Sequence, residues 1–277
     1  MNSFNIICTT DSEYVPIAEC LLTSLNANSP GPVVHLRAVN CSSDDIEKLR
    51  SCYSNVNIIV DNIELNTKRD RIQREHGILL QEKLAHGFRK KLTNHRGARW
   101  LYSEKMAYCS NIKFNTINRV LNTGATNIFY IDLDSIIRSN LDALYDIIMN
   151  NEMVFRVTDI TGELSARFEN RTVMYHGGMF GAVNNDTNKN IFQAIEDVVS
   201  EDMYNWDIDE TAIYDAIENS STDVYRLPAI YKDEGRYNTD IDDYIFNDQS
   251  TIWSGAGHVK YTSEKYVDEC KKYNDNI

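Results

Sequence analysis

The chain has 277 residues, 42% of them apolar, which is enough to bury one substantial core or at most two small ones. Its formal charge of −13 argues against nucleic acid as the main partner, because phosphate contacts need positive surface. No run approaches the roughly eighteen apolar residues of a membrane span, and the opening MNSFNIICTTDSEY carries neither a basic start nor a long apolar stretch, so no transmembrane segment or secretory signal is expected.

The first half alternates strand and helix. Phe4 to Thr9 is an apolar run suited to a buried strand, and Tyr14 to Asn28 carries Ile17, Ala18, Leu21, Leu22 and Leu25 on one helical face. Pro32 to Val39 reads as a second strand. Ser42 to Asp45 reads as a capping signal for a second helix, and Val56 to Val60 as a third strand. A β-α-β-α-β opening implies a parallel sheet with right-handed crossovers. From Lys68 to Arg99 the chain carries ten Lys or Arg against three acids (Asp70, Glu75, Glu82), either a solvated face or a flap near an anionic ligand.

Trp100 to Leu121 then reads as one long helix, and Asn127 to Ile131 as a buried strand that ends at Asp132. A helix over Leu141–Met149 and a strand over Met153–Thr158 follow. After Val173 come strands with Gly breaks, and then helices near Ile191–Val199 and Thr211–Ile217. With four prolines and no Gly/Ser linker, the expectation is one α/β domain over residues 1–277, with a central, mostly parallel sheet flanked by helices. Six cysteines lack metal-ligand spacing, so reduced thiols and a cytoplasmic setting are the default. The sequence is silent on oligomeric state.

Asp-x-Asp occurs three times, at Asp132/Asp134, Asp207/Asp209 and Asp240/Asp242, so the spacing alone decides nothing. Position separates the copies. Asp132 directly follows an apolar strand, which puts its pair at the carboxyl edge of a sheet, where open α/β folds bind ligands. Side chains at i and i+2 of an extended segment share a face, and two carboxylates with diphosphate oxygens suit Mn²⁺ or Mg²⁺. The run Ile131 to Ile136 also resembles the nucleophile loop of haloacid-dehalogenase-type phosphatases. There, however, the motif follows the first strand, whereas here a β-α-β pattern precedes it.

Four segments, in order and spanning nearly the whole chain, resemble a GT-A fold (Rossmann-like) glycosyltransferase of the family 8 type, which includes glycogenin and bacterial galactosyltransferases. They are Cys8 to Tyr14 with its helix; Tyr102-Ser103-Glu104-Lys105-Met106 leading into Asp132-Leu133-Asp134; Tyr175-His176-Gly177-Gly178-Met179-Phe180-Gly181 with Asp209-Glu210; and Ser254 to Lys260. The resemblance implies that Thr9, Asp11 and Tyr14 hold the nucleotide, with Lys105 and Leu133 also on the donor side. It implies that His176 and Gly177 flank the sugar, and that Gly257 and Lys260 close over the diphosphate. Asp132 and Asp134 would hold the metal with a third ligand from Ser254, His258 or water, His258 being slightly preferred because Ser254 stands where the family has His.

Asp209 and Glu210 would be the catalytic acids. Asp209 would stabilise the sugar if configuration is retained, or either would act as base if it is inverted. The implied reaction moves a hexose from a nucleoside-diphosphate sugar, a UDP-sugar foremost, to a carbohydrate or other hydroxyl acceptor. Residues 1–135 would form the nucleotide-binding half, and 136–277 the acceptor half with its closing loop. A sugar-nucleotide nucleotidyltransferase and a non-catalytic nucleotide-sugar-binding subunit are the other readings.

Overall fold

The strands that the sequence buries most completely sit at the centre of one seven-stranded sheet. The computed structural model describes residues 4–68, 71–72, 101–160, 171–206, 208–238, 240–255 and 259–274. Strand β1 (Asn5–Asp11) is buried along its whole length. Helix α1 (Val15–Asn28) carries the chain to β2 (Val33–Val39), and α2 (Ser43–Cys52) carries it on to β3 (Val56–Asp61). All three strands run parallel. The capping signal at Ser42 is a complete capping box: the Ser42 hydroxyl accepts from Asp45 N, and the Asp45 carboxylate accepts from Ser42 N.

Short strands β4 (Arg71–Ile72) and β5 (Leu101–Tyr102) pair antiparallel at either end of the basic stretch, most of which lies outside the described residues. The long helix expected from Trp100 is two helices, α3 (Glu104–Asn111) and α4 (Lys113–Asn122). Its start is displaced because Ser103 is extended and caps α3, accepting from Met106 N. Strand β6 (Asn127–Ile131) then enters beside β1 and parallel to it. The chain therefore runs outward from β1 to β3 and returns to the other flank of β1. That reversal opens the ligand crevice of an open α/β sheet between the carboxyl ends of β1 and β6.

The rest of the chain closes around that edge. Strand β7 (Ser135–Ile137) and helix α5 (Asp142–Met149) lead to β8 (Met153–Asp159) and to the eleven-residue β9 (Val173–Val183), which lies antiparallel between β6 and β8. Helices α6 (Asp186–Glu201) and α7 (Ile208–Glu218) precede β10 (Val224–Arg226), which completes the order β10-β8-β9-β6-β1-β2-β3. A hairpin of β11 (Arg236–Asn238) and β12 (Asp243–Ile245) follows. Strand β13 (Ile252–Ser254) then pairs with β7, ahead of α8 (Val259–Thr262) and α9 (Glu264–Lys271).

Alternation along the strands splits the core into two layers. Ile6, Cys8, Phe129 and Ile131 pack on one face with Leu21, Leu25 and Leu36, whereas Ile7, Ile128 and Tyr130 pack on the other with Phe180 and Phe192. In the second layer the rings of Phe155 and Phe180 stack at 4.9 Å and those of Tyr130 and Phe180 at 5.3 Å, which fixes β6, β9 and β8 against α6.

Candidate active site

Asp132 lies one residue beyond β6, at the mouth of the crevice, and its backbone N–H donates to Gly178 O of β9 at 2.9 Å. Asp134 directly precedes β7. It is tied to the C-terminal segment by three bonds: Gly255 N donates to Asp134 O at 2.6 Å, the Tyr266 hydroxyl donates to the same oxygen at 2.9 Å, and Lys260 Nζ meets Asp134 Oδ2 at 2.5 Å. The β7–β13 pairing sets Ser254 opposite Ser135. Residues about 120 positions apart thus share one site with the acidic pair. The rival Asp240/Asp242 pair sits in an exposed turn, and Asp207 lies outside the described residues.

The strand-to-helix turn after β1 forms the opposite wall. Asp11 is buried, and its Oδ1 accepts from Glu13 N at 2.7 Å and Tyr14 N at 3.3 Å, an Asx turn that opens α1. Lys105, also buried, reaches Asp11 Oδ2 at 3.5 Å and Glu13 at 2.9 Å. Thr9 is buried, and its hydroxyl has no hydrogen-bond partner among the described residues. Tyr14 accepts from the Tyr261 hydroxyl at 3.0 Å, and Lys260 Nζ stands 5.5 Å from the Tyr14 ring. Lys260 therefore links the turn after β1 to the acidic pair. Leu133, between the two aspartates, faces the core and is buried.

On the third side, β9 brings two glycines against charged groups. A Cβ on Gly178 would collide with the Asp132 carboxylate and stand 2.9 Å from Lys232 Nζ. A Cβ on Gly177 would lie 3.0 Å from Asp209 Oδ2 and 3.1 Å from Lys113 Nζ. The tighter of these two approaches is at Gly178, which the sequence did not single out. Strand alternation turns Gly177 toward α4 and α7, and Gly178 toward the sheet edge.

Asp209 and Lys113 form a buried ion pair at 2.6 Å, and the Ser110 hydroxyl donates to the same carboxylate oxygen at 3.2 Å. Glu210 lines a separate small cleft with Arg171, Met174 and Tyr214. Lys113 and Lys232 are functional candidates that the sequence did not reveal. Lys113 is buried against Asp209, far along the chain, and Lys232 against Glu234, two residues on, with the charges of Asp132 and Asp134 also acting on it.

Burial raises the Asp132 carboxyl above its ordinary range and Asp134 adds to that, while Lys232, Lys113 and Lys260 pull it down. Burial alone would lower Lys232, but Asp132, Glu234 and Asp134 outweigh it and hold the ammonium above its ordinary value. The same balance holds for Lys260, where Asp134 is the main opposing charge. Both lysines therefore stay charged beside the aspartates.

His176, whose ring Nε2 is 2.7 Å from the Thr158 hydroxyl, is lowered from 6.5 to about 4 by burial and by the positive charges of Lys232 and Arg156, with Glu234 opposing. Between those two values the unfolded chain binds a proton that the folded chain refuses, so stability is full above 6.5 and falls as pH drops toward 4. Replacing His176 with Gln is expected to flatten that acid limb, read as the melting temperature of both proteins between pH 4 and 7.

Asp134 Oδ1, Ser135 Oγ and Ser254 Oγ are buried and have no hydrogen-bond partner among the described residues. Such orphaned oxygens beside two carboxylates fit a hard, oxygen-seeking dication. Among the described residues no further His, Cys, Asp or Glu joins Asp132 and Asp134 in a three-ligand cluster. Ser254 is the neighbouring candidate, and His258 and Gly257 lie outside the described residues.

The model of glycosyl transferase family 8 matches residues 5–205, which includes β1, the Lys105 helix and the Asp132/Asp134 pair. The chain belongs to glycosyl transferase family 8. As a glycosyltransferase it also has the fold of solved enzymes of this type. The galactosyltransferase LgtC, in complex with donor and acceptor sugar analogs, superposes with a TM-score of 0.55 at 13% identity over 98% of this chain and 96% of its own. The bifunctional glycosyltransferase WbbM gives 0.59 at 12% identity over 98% of this chain and 49% of its own. Mouse xyloside xylosyltransferase 1 gives 0.50 at 12% identity over 92% and 98%. At these identities the likeness establishes the GT-A architecture. No curated protein matches the chain by sequence. Asp209, Lys232, Ser254 and Lys260 lie beyond the family match, so their roles rest on the geometry above.

Proposed function

We propose that this glycosyltransferase moves a hexose from a nucleoside-diphosphate sugar, a UDP-sugar foremost, to a hydroxyl acceptor such as a carbohydrate, with Mn²⁺ or Mg²⁺ held by Asp132 and Asp134. The observation that carries the reading is the pair itself. Its two carboxylates stand at the β1/β6 crevice beside buried oxygens of Asp134, Ser135 and Ser254 that have no partner among the described residues. Ser254, His258 or a water would complete the protein's share of the metal shell. When bound, the metal would supply Lewis-acid stabilisation of charge on the departing diphosphate.

The chain's own residues divide the remaining work. Asp11, Thr9 and Tyr14 would seat the base and ribose, with Lys105 fixing the Asp11 carboxylate and Leu133 backing the donor side. Lys260, with Gly257 beside it in the closing loop, would meet the leaving-group oxygens. His176 and Gly177 would flank the sugar. Asp209 has both oxygens engaged, Oδ2 by Lys113 and Ser110 and Oδ1 by Glu210 N, so charge stabilisation of the reacting sugar suits it better than proton abstraction. Glu210 would then be the general base only in an inverting reaction. Residues 1–135 would bind the nucleotide and 136–277 the acceptor.

All six cysteines are free thiols, which supports a cytoplasmic setting. Among the described residues no helix is long and apolar enough to cross a membrane. The test is release of labelled sugar from a panel of nucleoside-diphosphate hexoses, with Mn²⁺ and with EDTA. Mn²⁺-dependent release from at least one donor is expected. Binding without turnover of any donor would instead identify a non-catalytic subunit.

A further inference from the structure

Lys232 is nearly inaccessible, and it lies outside the four segments that resemble the family. The backbone around it is fixed: Thr251 N donates to Ile230 O at 2.8 Å, Asp233 N to Ile252 O at 3.1 Å and Ser254 N to Asp233 O at 2.7 Å. These bonds lay the 229–233 segment along β13, the strand that pairs with β7 beside Asp134. Asp233 is held in turn by Gly235 N, Asn247 N and the Ser250 hydroxyl. The lysine side chain is 6% exposed. Its ammonium is 3.3 Å from Glu234 and meets the same face of Gly178 as the Asp132 carboxylate. Glycine at 178 is what lets both groups reach that point.

We propose that Lys232 is a resident cation of the donor site: it balances Asp132 when no metal is bound, and remains to meet the donor's diphosphate, so that nucleotide binding keeps a component that needs no metal. The inference rests on the glycosyl-donor reading and deepens it. Charge favours it. Lys232 and Lys260 stand among Asp132, Asp134 and Glu234, with Lys232 3.3 Å from Glu234 and Lys260 2.5 Å from Asp134, so a dication entering the aspartate pair meets two ammoniums until an anionic diphosphate arrives. Lys232 would thus lower the affinity for metal alone and raise the affinity for the nucleotide, coupling the two ligands. A lysine that only braced the fold would leave the affinity for nucleotide unchanged.

The experiment uses the full chain, with UDP, GDP, ADP and CDP as probes in calorimetry with EDTA and then with Mn²⁺, and Mn²⁺ alone followed by the electron paramagnetic resonance of the free ion. Wild type is expected to bind one of the nucleotides in EDTA. Lys232→Met is expected to weaken that binding by about tenfold while tightening Mn²⁺ alone by a few-fold, and Lys232→Arg to restore most of the former. Glu234→Gln, on a half-exposed side chain, frees the ammonium and is expected to tighten nucleotide binding in EDTA by about two- to threefold, even where Lys232→Met fails to fold.

Unchanged nucleotide binding by a folded Lys232→Met, or by Glu234→Gln, overturns the inference, as does weaker Mn²⁺ binding in the Met variant. A wild type that binds nucleotide only with Mn²⁺ overturns this inference alone. One that binds no nucleotide under either condition overturns the donor reading as well.

Discussion

Replacing Asp134 with Asn is expected to lower the rate of glycosyl transfer by about a thousandfold while leaving the fold in place, because a metal-held diphosphate is worth several kcal/mol in the transition state. The change preserves the shape of the side chain and removes its charge. Asp134 Oδ2 engages Lys260 at 2.5 Å, and Oδ1 is the buried, unpartnered oxygen that fits a cation. Asparagine therefore loses the anionic ligand and weakens the tie to Lys260 together. The bonds from Gly255 N and the Tyr266 hydroxyl to Asp134 O do not depend on the Asp134 side chain, so the local strand pairing survives. Steady-state transfer, Mn²⁺ binding and the melting temperature measured on one preparation check the three parts. EDTA treatment of wild type should reproduce the same deficit. Full activity of wild type under chelator would remove the metal from the reaction and leave Asp134 as a partner for Lys260.

Local patterns wrote the parts of this fold that were legible in the sequence. The buried run Asn127 to Ile131 became β6, the Ser42/Asp45 signal became a capping box, and Asp11 became the Asx turn that opens α1. The Asp132/Asp134 pair was distinguished from its two copies by the strand before it, and the structure puts that strand next to β1 at the reversal of strand order. What was not legible is the chemistry that arrives from far along the chain. A lysine in a loop or at a helix start reads as solvated, because lysines are almost never fully buried unless paired. Lys113 is buried against Asp209, 96 residues away, and Lys232 lies beside Glu234, two residues on, under the charges of Asp132 and Asp134. The distant partners could not be assigned before the order of strands was known. The glycine detail has the same origin: Gly177 and Gly178 differ by one position, and only the register against β6 says which faces Asp132.

Replacing Lys113 with Met is expected to destabilise the protein by about 3–5 kcal/mol, the usual consequence of stripping one partner from a buried ion pair. Lys113 is 2% exposed and Asp209 7% at their side chains, and they meet at 2.6 Å under β9. The ammonium also stands 5.1 Å from the Tyr130 ring and 5.2 Å from that of Phe114, so its surroundings are otherwise aromatic core. Methionine keeps the volume of the stem but leaves the largely buried Asp209 carboxylate with two neutral donors, Ser110 and the Glu210 amide. For a chain of this size the loss corresponds to a fall in melting temperature of roughly 10 °C. Removing both charges, as Lys113→Met with Asp209→Leu, should recover much of that stability, because the expense lies in the unpaired charge rather than in the absence of the pair. Thermal and urea unfolding of the single and double variants measure the difference, and a single variant within about 1 kcal/mol of wild type would show the pair to be hydrated in solution. The double variant also separates structure from chemistry. If Asp209 stabilises the reacting sugar, the protein with both charges removed is folded and inactive. If the pair only braces β9 against α4 and α7, it is folded and active.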